Sequence, residues 1–293
     1  MKIAFVILNY NTYEETKECI LSIEDKLDTK DYRIVIVDNC SRDGSVGKIA
    51  EFIKGKNQIE LIENSENIGF AKGNNVGITY VNQNYNPEYV VVCNSDTELI
   101  QRNLVARLDT EYQKSGFALL GPLVLMGNNR YDLSPMTMPT DEQVKQKIKE
   151  LKKSEALFKT HMYYPYRAAN YLKRRICHKS AWSVVSGQNI DFCKYQMNLP
   201  ISGCFMVFSR KAFDYIDGFD ERTFLFYEDY ILYLKLQKLG LTVVYEPQIM
   251  VYHRGEAAFG SFLKTRRREM LFKIKHQKRS AEILLSTIEE NAF

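Results

Sequence analysis

The chain has 293 residues, is 45% hydrophobic and 26% charged, and carries a formal net charge of +4. That length holds one large or two small domains with a sizeable core, and the composition excludes a disordered chain. No apolar stretch approaches the ~18 residues of a membrane span, and no nucleic-acid motif accompanies the mild positive charge, whose excess lies mostly after residue 140.

Ile3 to Leu8 is a continuous apolar run ending in Asn9-Tyr10-Asn11, read as a strand buried on both faces. Thr12 and Glu15 have the spacing of a helix capping box, and Ile20, Ile23 and Leu27 follow at helical spacing. A strand from Arg33 to Val37 ends in Asp38-Asn39, Asp43-Gly44-Ser45 turns the chain, and Val46, Ile49, Ala50 and Ile53 mark a second helix. Ile59 to Ile62 is a short strand, and Asn67 to Gly77 reads as a loop entering a third helix. Tyr89 to Cys93 is a strand ending in Asn94-Ser95-Asp96, Leu99 to Tyr112 a fourth helix, and Phe117 to Val124 another strand. This alternation predicts an α/β fold with a mostly parallel central sheet and helices on both faces.

The pattern breaks at Gly127. Residues 128–198 read as an insertion, with a charged amphipathic helix from Asp141 to Phe158. Tyr163-Tyr164-Pro165-Tyr166 stands outside that helix. The segment 167–182 mixes Arg167, Lys173, Arg174, Arg175 and Lys179 with Tyr171, Leu172, Ile176 and Trp182. A strand returns over Ile201 to Phe208, and Gly218-Phe219-Asp220 is a turn. The aromatic run Phe224 to Tyr227 leads into Glu228-Asp229, where a helix begins that carries Leu232, Leu236 and Leu239 and stops at Gly240. Thr242 to Tyr245 and Ile249 to Tyr252 read as two short strands split by Pro247, followed by His253. From Ser261 the chain is helical and basic, with Lys264 and Arg266 to Arg268 at its start.

The six cysteines show no zinc spacing; Cys19, Cys93 and Cys204 lie in apolar patterns, so buried free thiols and a reducing compartment are expected. The first apolar run is too short for a signal peptide, and the expected location is cytoplasmic.

Ligands of open α/β sheets bind beyond the carboxyl ends of the strands, so the three strand-end fragments of the first half belong to one rim. Asp96 is suited to a hard divalent cation bridging phosphates, or to capping a helix. Asp38 is suited to a ribose or base, or to the turn that follows. No G-x-G-x-x-G follows the first strand, which argues against a nicotinamide enzyme. The Asn67–Gly77 stretch combines glycines, which permit close backbone approach, with amides that both donate and accept; a tight helix–sheet contact would explain Gly73 and Gly77 but not the amides. Glu228-Asp229 is either a favourable acidic helix start or a general base. His253, at a strand end on the same rim, is a candidate metal ligand.

Together these stretches resemble glycosyltransferase family 2, which has the GT-A fold. The likeness covers residues 1 to about 125 and 200 to about 260, and its motifs fall in the family's order: V-x-L-N-Y-N, V-D-N-x-S-x-D-G-S, N-x-G-F-A-x-G-N-N-x-G, N-x-D-T-E-L, Gly203 with Phe205-Met206, Gly218-Phe219-Asp220-Glu221 running to Glu228-Asp229, and the late His253. The asparagine-rich loop is most similar to bacterial rhamnosyltransferase-like members, which build surface polysaccharides.

The resemblance implies a single catalytic domain over 1–260, in which 1–125 binds the nucleotide-sugar, 128–198 is the helical insertion and 200–260 carries the acceptor and catalytic part, followed by a basic helix over 261–293. It implies that Asn9, Tyr10 and Asn11 line the nucleoside site and that Asp38 binds the base. Asn67, Lys72, Asn75, Asn94 and Ser95 would lie along the nucleotide or donor sugar, and Gly203 and Cys204 near the donor sugar and acceptor. Asp96 stands at the last acid of the family's D-x-D motif; Asn94 replaces the first, which gives His253 more weight as a ligand of Mn²⁺ or Mg²⁺. Asp229 matches the catalytic base, with Glu228 beside it. The implied activity is inverting, metal-dependent transfer from a UDP- or dTDP-sugar, dTDP-rhamnose among them, to a hydroxyl of a growing surface polysaccharide or lipid-linked glycan. A peripheral contact with anionic membrane at the inner face of the plasma membrane would suit such an acceptor. The alternatives are a sugar-phosphate nucleotidyltransferase, which would want a glycine-rich basic loop after the first strand, and a non-catalytic carbohydrate- or lipid-binding protein on the same fold.

Overall fold

The apolar runs form the strands of one sheet. β1 (Ile3–Asn9), β2 (Tyr32–Asp38), β3 (Ile59–Glu63) and β4 (Tyr89–Asn94) pair in parallel in the order β3-β2-β1-β4. In the computed structural model, which describes residues 1–127, 130, 131, 134–160, 162, 163, 165, 190–255 and 266–291, the sheet continues beyond β4. Next come β9 (Phe205–Ser209), β6 (Leu119–Met126), β10 (Val243–His253) and β5 (Thr97–Leu99), with β7 (Arg130–Tyr131) beside β6 and β8 (Gln196–Met197) beside β10. β9 runs antiparallel to both β4 and β6, β10 is parallel to β6, and β5 closes antiparallel on β10. Six of the ten strands thus run the same way, while β9 in the middle and the short β5, β7 and β8 run against them.

Both faces of the sheet are buried, which is why its strands read as unbroken apolar runs. Phe5, Ile7, Ile34 and Val91 cluster with α1 (Tyr13–Lys26), α2 (Ser45–Phe52) and α4 (Leu104–Ser115) through Ile20, Ile49 and Leu108. On the other face Val6, Val35 and Val92 cluster with α3 (Phe70–Asn84) and α6 (Glu228–Lys238) through Ile78, Leu232 and Leu236. Each such buried side chain stabilises the fold by about 1.5–3 kcal/mol.

Several expected boundaries move, each for a local reason. The fourth helix starts at Leu104 rather than Leu99, because Thr97–Leu99 is taken up as an edge strand by β10. The third helix begins at Phe70, so Lys72 and Asn75 are helical rather than in a loop. The late strand begins at Phe205, after a turn at Gly203–Cys204. The two short strands around Pro247 are one strand, β10, whose pairing with β6 jumps from Glu246–Pro122 to Met250–Leu123 across a bulge. No capping box forms at Thr12: its hydroxyl contacts Asn9 and Ser95 instead.

The described part of the insertion is tied to the sheet and to the C-terminal helix. α5 (Asp141–Lys159) starts with a true capping box, Thr140 with Gln143. Its Val144 and Ile148 share an apolar cluster with Ile231 and Leu234 of α6 and with Ala281 and Leu284 of α7 (Arg266–Asn291). Tyr195 donates to the buried Glu111 at 2.7 Å and Tyr245 to the Phe192 carbonyl at 2.7 Å. Tyr164, Tyr166 and the basic-aromatic residues Arg167, Tyr171, Leu172, Lys173, Arg174, Arg175, Ile176, Lys179 and Trp182 lie outside the described residues, as do Ser261 and Lys264. Cys19, Cys93 and Cys204 are buried free thiols; Cys40 is half-buried and Cys193 exposed. No helix among the described residues is long and apolar enough to cross a membrane.

Candidate active site

The rim begins where β1 and β2 end side by side, with Asn9 opposite Asp38. Asn9 is fully buried: its amide nitrogen donates to Asp38 at 2.6 Å and to Ser41 at 3.1 Å, and its carbonyl oxygen accepts from Thr12 at 3.0 Å and Thr16 at 2.8 Å. Asp38 is also buried and accepts from the Ser41 backbone and hydroxyl at 2.8 and 2.6 Å. Asn11, in left-handed backbone at φ 54°, accepts from the Arg42 amide. These three residues brace the rim from within, while Tyr10 between them faces a cavity.

Asn39 links this rim to the glycine–asparagine stretch. Its nitrogen donates to Asn67 at 3.0 Å and to the Gly69 carbonyl at 3.1 Å, and its oxygen accepts from the Ile68 amide. Gly69 caps α3 at φ 90°, and a Cβ there would lie 2.5 Å from the Phe224 carbonyl, which accepts from the Phe70 amide at 2.7 Å. Only glycine permits that approach. Gly73 and Gly77 press α3 against Leu8 and Val6 of β1. Asn67 lines the cavity, Lys72 is exposed elsewhere, and Asn75 is buried, bonded through its side chain to both backbone groups of Phe219.

At the end of β4, Asn94, Ser95 and Asp96 all line the cavity with Gly203 and Cys204. The Cys204 carbonyl accepts from the Asn94 amide at 2.9 Å and from the Thr97 hydroxyl at 3.2 Å. Ser95 and Thr12 hydroxyls are 3.0 Å apart. His253 Nε2 lies 3.2 Å from Asp96 Oδ1, because β5 and β10 pair with Thr97 opposite His253. A carboxylate and an imidazole fit a divalent cation that takes its remaining ligands from phosphate and water, as Mg²⁺ sites do. Among the described residues no third His, Cys, Asp or Glu joins them.

The floor is Glu228-Asp229 at the start of α6. Phe226 and Tyr227 just before it both hold left-handed backbone, at φ 76° and 66°. Two consecutive aromatic residues there cost about 1–3 kcal/mol each, the kind of local strain that gathers at functional sites. Burial pushes the Asp229 carboxyl up to about 6, against the pull of backbone amides at Tyr230, Asp229 and Gly203. Burial and the neighbouring Asp229 charge push Glu228 up to about 8. Glu228 Oε2 is buried without a hydrogen-bond partner. At neutral pH the pair therefore carries one charge, on Asp229.

These elements enclose a cavity of about 830 Å³. It brings together Tyr10, Asn67, Asn94, Ser95, Asp96, Gly203, Cys204, Glu228, Asp229 and His253, but not Asn9, Asn11, Asp38, Lys72 or Asn75. The sequence reading missed one wall: Glu269, Phe272, Lys273 and Gln277 of α7. The only signal for it was an aromatic and an amide set among the tail's basic residues, which periodicity alone does not mark.

The architecture has solved counterparts. A crystal structure of S. aureus TarS residues 1–349 superposes with a TM-score of 0.53 at 17% identity, over 87% of this chain and 60% of that one. GalNAc-T7 crystallised with UDP, GalNAc and Mn²⁺ gives a TM-score of 0.57 at 15% identity, over 89% of this chain and 46% of that one. At such identities the likeness is one of fold, and the fold is GT-A, as the sequence resemblance implied. In sequence, residues 4–216 match the model described as "Glycosyl transferase family 2", and the chain belongs to that family. The low-salt glycan biosynthesis hexosyltransferase Agl10 of Haloferax volcanii is 28% identical over 140 residues, 48% of this chain and 41% of Agl10. The chain thus matches less than half of that relative's length.

Proposed function

We propose that the chain is an inverting, metal-dependent glycosyltransferase that moves a sugar from a UDP- or dTDP-sugar to a hydroxyl of a glycan acceptor, a surface polysaccharide or lipid-linked glycan under construction. The observation that carries this reading is the meeting, in one cavity, of the Asp96–His253 pair at 3.2 Å with a buried carboxylate, Asp229, at a helix start.

Asp96 and His253 would hold Mn²⁺ or Mg²⁺, the imidazole favouring Mn²⁺. When bound, such a cation offsets the charge that develops on a departing diphosphate. Tyr10 and Asn67 would flank the nucleoside, on a rim braced by Asn9 and Asp38. Asp229, ionised above about pH 6, takes the proton of the attacking acceptor hydroxyl. Glu228 keeps its proton at neutral pH, so it adds no second negative charge beside the base. A single base and no covalent intermediate imply inversion. A lipid-linked acceptor would bring the exposed lysines of α5, Lys149, Lys152 and Lys153 among them, toward anionic headgroups.

The test is release of nucleoside diphosphate from a panel of UDP-, dTDP- and GDP-sugars with Mn²⁺, comparing the wild type with Asp229→Asn. Release from at least one donor, lost in the variant when acceptor is supplied, is expected. Equal release by both proteins removes Asp229 as the base, and no release or nucleotide binding with any donor removes the transferase reading.

A further inference from the structure

The family match ends at residue 216, yet α7, at 266–291, forms a wall of the same cavity. We propose that this wall is the acceptor subsite: Phe272, with Glu269, Lys273 and Gln277, receives a neutral pyranose bearing a free vicinal diol, the terminal sugar of the acceptor. The proposal rests on the transferase reading above.

The position of α7 is the first argument. It is fastened to the strained segment that presents Asp229: Ser280 donates to the Leu225 carbonyl at 2.9 Å, and Phe272 meets Phe224 edge-on at 5.7 Å. The His276 ring lies 4.3 Å from both phenylalanine rings and locks them together. Asp229 and the four α7 side chains line one cavity, so a molecule that offers its hydroxyl to Asp229 there is bounded by α7.

Chemistry is the second. The C–H face of a pyranose is apolar and settles on an aromatic ring, while its edge carries hydroxyls that both donate and accept. Glu269 and Lys273 pair at 2.7 Å, each about a quarter exposed, and so present an acceptor and a donor side by side to two adjacent hydroxyls. Gln277 adds an amide that does both.

Charge is the third. Glu269 and Lys273 cancel, and burial together with Lys275 and Arg279 lowers the His276 pKa, so it adds no cation at neutral pH. These described side chains thus carry no net charge, which suits a sugar rather than a diphosphate, whose counter-charge would be a cation held by Asp96 and His253.

Saturation-transfer NMR on the full chain tests this. The probes are methyl pyranosides of glucose, galactose, mannose and rhamnose, and methyl 2,3-dideoxyglucoside, each with and without UDP or dTDP and Mn²⁺. At least one pyranoside should bind, and Phe272→Ala or loss of the diol should weaken it by about tenfold. Lys273→Gln should weaken it less, and nucleotide affinity should stay within about twofold throughout. Phe272→Leu keeps the bulk against Phe224 and His276 and should still weaken the sugar. The subsite is overturned if no pyranoside binds under any condition, or if binding is unchanged in Phe272→Leu and Lys273→Gln. Failure of the wild type to bind any nucleotide is a different result and overturns the transferase reading instead.

Discussion

His253 reaches Asp96 because two strands pair in one register: Thr97 sits opposite His253, and the next atoms along, Asp96 Oδ1 and His253 Nε2, meet at 3.2 Å. His253→Ala and Asp96→Asn should each weaken Mn²⁺-supported nucleotide binding by about tenfold or more, with little loss of fold stability. The measurement is the melting-temperature shift caused by UDP or dTDP with Mn²⁺ against the same nucleotide with EDTA. A wild-type shift that survives EDTA would take the cation out of the scheme.

Asp229→Asn should lower turnover by about 10²–10⁴-fold while leaving nucleotide affinity nearly unchanged. In the wild type, kcat/KM should rise with pH through about 6, where the buried Asp229 ionises. Glu228→Gln should leave that acidic limb in place, since burial rather than Glu228 raises Asp229. A limb that moves by a full pH unit in Glu228→Gln contradicts this assignment of causes.

The same carboxyls make a stability prediction. Glu228 ordinarily ionises near 4.5 and is raised to about 8 in the fold, so the folded state holds its proton more tightly than the unfolded chain. Stability is then lost as the pH rises from about 4.5 to about 8 and stays lost above that range. Glu228→Gln removes the penalty, so its melting-temperature advantage over wild type should be larger at pH 9 than at pH 5. The reverse order refutes the sign.

Asn9→Leu should destabilise the fold by about 3 kcal/mol or more, because Asp38, Thr12 and Thr16 lose a buried partner at once. Denaturant unfolding measures it. A variant as stable as wild type but weak in nucleotide binding would instead make Asn9 a direct ligand-binding residue.

Gly69→Ala should cost about 1–3 kcal/mol and reduce turnover, since the new methyl meets the Phe224 carbonyl at 2.5 Å in backbone that disfavours any side chain. Thermal melting and donor turnover read the two effects separately.

The strands were legible because both sheet faces are buried, and Ile3 to Leu8 or Tyr89 to Cys93 admit few other readings. Ten of the residues singled out in the sequence line the cavity, and six of them, Tyr10, Asn67, Asn94, Ser95, Asp96 and His253, do so because they stand at or just past the ends of parallel strands, which converge by topology. Asn75 was harder to place. A buried amide that holds a turn and one that holds a ligand are the same residue type in the same glycine-rich setting, and only the partner, here Phe219, distinguishes them. The role of α7 was hidden for another reason: a helix that packs on α5 and α6 and also faces a cavity spreads its apolar residues around the axis, so no clean stripe marks the inner face.

The bulge in β10 has a consequence for chain length. Between the partners Glu246–Pro122 and Met250–Leu123, β10 holds Pro247, Gln248 and Ile249 while β6 adds nothing. Those three residues set the phase of everything after them up to His253. Side chains alternate along a strand, so deleting one of the three would turn His253 to the opposite face without altering any residue of the cavity. Substitutions at the exposed Gln248 should be neutral where a one-residue deletion is not, so around the buried Ile249 this stretch acts as a ruler of fixed length.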